Sequence, residues 1–389
     1  MAACPRLVRR TYPETMTVLE PGMPDLSYLV PASSENRWSD LLATLITIDP
    51  EPLQRLLGLD FDTVEREAIP PGPVRKADRL DVLLRAGGAA AAAIEVKLLS
   101  DLGERQLERY AASFPTAQVH RVLHLEGLPV NLSQTAPWTS MTWEAVLTAY
   151  SGSANSWVST TARAWLLQIP ALVPAVDADT VWNDVPDDAP GMELALRARI
   201  AWLSRQVDGW SSLPHDMEPS SGGGNWAVRI WTPSRAPGHV VAAELQEGMT
   251  AFEWKRDPDK PYRERLRGPV VLLGLRQDDV ETSADFDWAH LHTMFKEHVL
   301  DATGFPRLNG KWQTTAARPG DPVDRANWAA IVAAGAPRWL GKGWGMRVAK
   351  SVHSCMFGAR FQLPKTSTLG QVNEELRRLE RTIVRIAAA

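Results

Sequence analysis

Cysteine is nearly absent from this chain: Cys4 and Cys355 are the two among 389 residues. Two cysteines so far apart make neither a disulfide framework nor a metal-ligand spacing, so a reducing, cytoplasmic setting is expected. Long apolar runs are missing too. The nearest approach, Ala164 to Val176, contains Gln168, Pro170 and Pro174, which excludes a membrane span there. The opening residues MAACPRLVRRTYPE hold no apolar stretch of the kind a secretory signal needs. An excess of positive charge is lacking: 42 Lys and Arg face 46 Asp and Glu, a net charge of −4. The molecule as a whole is therefore no basic nucleic-acid binder, and any such contact has to come from a local patch. No Ser-His-Asp or Cys-His arrangement has supporting context, and there is no internal repeat. His290 and His292 lie about 200° apart on a helix and cannot chelate together.

What is present is ordinary globular material, 44% hydrophobic and 23% charged, enough for two domains. All of the 16 tryptophans except Trp38 lie at or beyond Trp138, so the second half does not repeat the first. Residues 1–31 read as an irregular arm rich in Pro and Thr. Residues 32–175 read as an α/β domain, 176–190 as a linker carrying Pro186, Pro190 and several aspartates, and 191–389 as an α+β domain. Within the first domain, helices are expected from Ser34, over Glu51 to Leu57, and around Trp143 to Tyr150 and Trp157 to Ile169. Strands are expected over Thr63 to Ile69 and Ala117 to Leu125. In the second domain a helix over Met192 to Val207 precedes an antiparallel sheet, with strands at Trp226 to Trp231, His239 to Gln246, Thr250 to Lys255 and Val270 to Leu275.

The chemistry concentrates between these elements. Leu80, Val82 and Leu84 alternate with Asp81 and Leu83; Ile94, Val96 and Leu98 alternate with Glu95 and Lys97. Gly87-Gly88 stands between the two runs, followed by five alanines. Period-two alternation on both sides of a glycine break reads as a β-hairpin. Residues two apart share a strand face, so Glu95 and Lys97 project together. Paired apolar faces bring Asp81 to the same side. Two carboxylates and an ammonium at one spot suit a hard divalent cation beside a phosphodiester. A helix follows, with Asp101 and Glu104 spaced as a capping box. In it Gln106 and Tyr110, four apart, share a face.

In this order, Asp81, Glu95-Val96-Lys97 and Gln106-Leu107-Glu108-Arg109-Tyr110 resemble the PD-(D/E)XK nuclease superfamily, and the Gln-x-x-x-Tyr element resembles its RecB-like branch. Ser34-Glu35-Asn36-Arg37-Trp38 matches the acidic helix that precedes the core in that superfamily. The resemblance covers roughly the first 170 residues. Leu80 stands where a proline is usual, the alanine turn is unusually small, and Asp78 rivals Asp81 as the metal-binding acid. The resemblance implies a restriction-endonuclease-like mixed sheet flanked by helices and an Mg²⁺- or Mn²⁺-dependent endonuclease, acting on DNA in preference to RNA, in genome defence or repair. It implies Asp81, Glu95 and the Val96 carbonyl as metal ligands. Lys97 would orient or deprotonate the water or stabilise the transition state, Gln106 and Tyr110 would hydrogen-bond the phosphate or a metal-bound water, and Glu35 would serve a second metal or the outer shell. Tyr110 reads equally well as a core aromatic. The rival readings are a non-catalytic nucleic-acid-binding or assembly module of the same fold, and an effector active only with a partner subunit.

Two features of the second half point to partners. Between Asp324 and Glu374 there is no acid at all, while Arg338, Lys342, Arg347 and Lys350 interleave with Trp328, Trp339 and Trp344. Such a mixture suits a phosphate backbone and unstacked bases, and it reads equally well as core tryptophans with basic residues scattered on the surface. Its glycines, Gly341 to Gly345, lack the Ser or Thr of a phosphate loop. Finally, Leu369, Val372, Leu376, Leu379, Ile383 and Ile386 repeat at three and four. That is a coiled-coil rhythm, which suits a homodimer through a helix capped by Thr368 and equally a helix packed on its own domain.

Overall fold

A computed structural model describes residues 35–70, 79–98, 105–128, 130, 132, 137–219, 226–247, 260–278, 290, 294, 312–314 and 354–389. Its first half is mixed α/β. The chain enters through α1 (Glu35–Ile48) and α2 (Glu51–Leu57), then builds β1 (Thr63–Ala68), β2 (Leu80–Ala86) and β3 (Ala89–Val96). After α3 (Gln106–Ser113) come β4 (Val119–His124), β5 (Thr139–Thr142), α4 (Trp143–Ser151) and α5 (Ser156–Leu172). The five strands form one sheet in sequence order. β1, β2 and β3 are antiparallel neighbours, and β3, β4 and β5 run parallel.

The expected hairpin is β2–β3. Gly87 and Gly88 sit at φ 56° and 85°, the left-handed geometry that a two-residue turn between twisted strands requires. The alanine run has a packing reason. β3 is an inner strand, and every residue from Ala90 to Val96 is buried. Small side chains let helices close on both of its faces. On one side Ala92, Ile94 and Val96 meet Trp38, Trp143 and Trp165; on the other Ala90 and Ala93 meet Leu107, Tyr110 and Phe114. Trp38 packs edge-on against Trp143 and Trp165, ring centres 4.9 and 4.8 Å away, which pins α1 to α4 and α5.

The second half opens with α6 (Ala189–Trp210), followed by β6 (His215–Pro219), β7 (Trp226–Pro233), β8 (His239–Gln246), β9 (Val270–Asp278), β10 (Trp312–Thr314), β11 (Ser354–Gln362) and α7 (Leu369–Ala388). These six strands form an antiparallel sheet, ordered β10-β11-β9-β8-β7-β6. The strand expected over Thr250 to Lys255 lies outside the described residues, as do His292 and the arm. Helix α6 contributes to two cores: Leu194 and Ala198 to that of the first sheet, Met192, Leu196, Ile200 and Leu203 to that of the second. The stretch expected as a linker is docked. Trp182 is fully buried, and its backbone N–H donates to the Ser367 carbonyl at 2.9 Å. The Arg199 guanidinium reaches the carbonyls of Val181 and Asp184 at 3.2 and 2.6 Å. Among the described residues no helix is long and apolar enough to cross a membrane.

The cap of α7 is as expected, a capping box between Thr368 and Gln371. The interface assigned to this helix is corrected. All six seam residues are at most 2% exposed within the single chain, packed with α6 and the β7–β8 face. A heptad seam needs an apolar partner, and here that partner is the chain's own sheet and helix, so the seam is not open to a second copy. Leu376→Ala and Ile383→Ala are each expected to lower the unfolding free energy by about 2–5 kcal/mol, the usual cost of a buried large-to-small change. Urea melts measure that loss; light scattering should give the same mass for the variants and the parent.

Candidate active site

Asp81, Glu95 and Lys97 come together on the α3 side of the first sheet. The register Val82↔Ile94 and Leu83↔Ala93 sets Asp81 across from Glu95 at the end of the hairpin. The Val96 N–H donates to Asp81 Oδ2 at 2.8 Å, so one acid is locked to the strand that carries the other. Lys97 Nζ lies 2.9 Å from Glu95 Oε1, and Gln106 Nε2 donates to the same oxygen at 2.9 Å. Glu95 Oε2 is buried and has no hydrogen-bond partner among the described residues. Buried polar atoms are rarely left so, and an unpaired carboxylate oxygen marks a place for a cation or a proton.

The electrostatics agree with that geometry. Burial, and then the charge of Asp81, push the Glu95 carboxyl up to about 8, against a partial pull downward by Lys97. Burial also raises Asp81, with the Val96 N–H and Lys97 opposing it. Loss of hydration pulls Lys97 down, but Glu95, Glu35 and Asp81 outweigh it and leave the ammonium above the ordinary lysine value. The shift of Lys97 draws on a charged Glu95, whereas Glu95 itself is held toward the protonated form. Both groups are shifted upward: burial governs the carboxyl, and three surrounding carboxylates govern the ammonium.

Glu35 reaches the site from the first turn of α1. Its Oε1 accepts the Leu98 N–H at 2.7 Å, one residue beyond Lys97. Tyr110 is a buried core residue, 1% exposed, and also part of the network. Its hydroxyl donates to the Arg79 carbonyl at 2.7 Å and accepts from Gln106 Nε2 at 3.1 Å. The second of these bonds ties Tyr110 to Gln106. Asp101 and Glu104 lie outside the described residues, but the cap assigned to this helix is corrected. Helix α3 starts at Gln106, after Arg105 in a left-handed conformation at φ 53°, so an unbroken helix from residue 102 is excluded. Asp78, Arg338, Lys342, Arg347 and Lys350 also lie outside the described residues.

No group of three or more His, Cys, Asp or Glu side chains that would hold a metal ion occurs among the described residues. Asp81 and Glu95 are a pair, which is enough for Mg²⁺: it takes one or two carboxylates and fills the remainder with water and substrate phosphate. Two residues that matter here carry no motif in the sequence. Arg66 donates from Nη1 to the Asp81 carbonyl at 2.7 Å, and Glu67 beside it lies at φ 48°. No family model, no curated protein and no solved structure matches the chain.

Proposed function

We propose that this chain is a metal-dependent nuclease of the PD-(D/E)XK type, with a restriction-endonuclease-like first half, hydrolysing phosphodiester bonds in DNA. The observation that carries the reading is Glu95 Oε2, buried without a partner next to Asp81 and Lys97. Asp81, Glu95 and the Val96 carbonyl would hold Mg²⁺ or Mn²⁺. When bound, such an ion acidifies a water and offsets charge building on the phosphate. The ammonium of Lys97, kept protonated by its carboxylate neighbours, is a poor proton acceptor at neutral pH. Its role is to hold the phosphate and stabilise negative charge in the transition state. Gln106, tied to Tyr110, holds the Glu95 carboxylate through Oε1 and leaves Oε2 outside that bond. Glu35 adds negative charge at the rim. Once ionised, the buried Glu95 carboxylate attracts a cation more strongly than an exposed one would.

A second reading, a module that keeps this fold without turnover, draws on one fact: Glu95 Oε1 is already satisfied by two donors. The test is incubation of the purified chain with duplex DNA, single-stranded DNA and RNA, each with Mn²⁺ or Mg²⁺, beside Glu95→Ala. Cleavage by the parent alone is expected. Cleavage by both would point to a contaminant, and cleavage by neither favours the non-catalytic module.

A further inference from the structure

The neighbour of Asp81 on the other side is β1, and there the ladder is broken. Arg66 pairs with Val82 and Ala68 with Leu80, but Glu67, which should face Asp81, does not pair. It stands at φ 48°, a left-handed conformation that a non-glycine residue adopts at a cost of about 1–3 kcal/mol and that collects at functional sites. With the ladder open, the Asp81 carbonyl takes its hydrogen bond from a side chain, Arg66 Nη1 at 2.7 Å. The same guanidinium donates to Asp40 Oδ1 from Nε at 2.9 Å, and its Nη2 lies 2.8 Å from that oxygen. Nη2 also reaches the Asn36 carbonyl at 3.5 Å. Asn36 and Asp40 belong to α1, one and five residues beyond Glu35. Glu67 is held in place by Arg79, 2.5 Å away, the residue just before β2.

We infer that Arg66 is a positioning residue for the candidate site. It bridges the helix that carries Glu35 to the strand that carries Asp81, and so fixes the spacing of the acids by gripping the Asp81 main chain. The role rests on the metal-dependent reading above. A planar, forked cation is required, because one group has to serve Asp40 and the Asp81 carbonyl together. A lysine has the charge but not the span. Arg85 supplies the matched control. It joins the same two strands through Glu65 at 2.7 Å, but far from Asp81.

The experiment is calorimetric titration of the full chain with Mn²⁺, for the parent, Arg66→Met, Arg66→Lys and Arg85→Met, with thermal melts alongside. Outer partners of metal ligands are usually worth about 10–100-fold in affinity. Arg66→Met and Arg66→Lys are each expected to weaken Mn²⁺ binding by about tenfold or more, at the low end of that range, and Arg85→Met to leave it unchanged. The pH at which Mn²⁺ binding is half lost should move in the two Arg66 variants only. Parent-like binding in Arg66→Met overturns the role. So does equal loss in Arg85→Met, which would mean general loosening of the sheet. Full binding in Arg66→Lys would show that charge suffices and would overturn the bridge. A parent chain that binds no Mn²⁺ defeats the metal-dependent reading itself, and this role falls with it.

Discussion

Glu95→Gln should abolish Mn²⁺-dependent cleavage and, at the same time, raise the stability of the metal-free protein by about 3 kcal/mol at pH 7. The two effects have one origin. In the unfolded chain this carboxyl releases its proton near the ordinary 4.5, whereas in the fold it keeps the proton up to about 8. Between those values the folded state binds one proton more than the unfolded state, so stability falls as pH rises through the window and is level outside it. Asp81, also shifted upward, adds to the same slope. Glutamine keeps the shape and the contact with Gln106 but has nothing to ionise. Urea melts from pH 4 to pH 9 should therefore show a decline for the parent that is much reduced in Glu95→Gln. Added Mn²⁺ should stabilise the parent more at pH 8 than at pH 6, because the ion binds the ionised form, and should not stabilise the variant. A variant less stable than the parent across the whole range would mean that Glu95 is an ordinary structural ion pair.

Lys97→Met should separate binding from turnover. The ammonium neutralises the carboxylates that a metal ion would also neutralise, so removing it leaves a more negative pocket. Mn²⁺ affinity should hold or improve, while the cleavage rate falls by about 10²–10³-fold, the usual range for losing one group that stabilises transition-state charge. The side chain is 13% exposed and its stem is packed, so methionine fills the space without a cavity. Single-turnover cleavage at saturating Mn²⁺, set beside a Mn²⁺ titration, reads the two quantities independently. Parallel loss of both would place Lys97 among the groups that merely hold the carboxylates.

The residues that could be found in advance were those whose side chains follow a period. Asp81, Glu95 and Lys97 fall on one face because strands alternate, and Gln106 meets Tyr110 because helices repeat at four. Arg66 carried no such signal: in Thr-Val-Glu-Arg-Glu-Ala it looks like one more solvated charge, and its role depends on Glu67 leaving the ladder. No propensity marks a glutamate for a left-handed conformation. β5, β6 and β10 are too short to show a period, and β11, although nine residues long, does not alternate strictly, so none of the four carries an expectation. The seam of α7 was visible as a seam, but heptad spacing does not tell whether a partner is another helix or the chain's own sheet. The open oxygen of Glu95 needed the structure, since satisfaction of a polar atom is a property of neighbours and not of spacing.

Helix α6 has a consequence for dissecting the protein. Because Leu194 and Ala198 complete the core of the first sheet, a fragment ending at residue 175 would expose Trp165, Ile169 and their neighbours to water. Such a fragment should aggregate or melt early, whereas one extended through Trp210 carries its own closure, at the cost of a bare face that the second sheet normally covers. The helix works as a shared keystone. Loss of order in either half removes support from the other, so heat should unfold the two halves in one coupled transition.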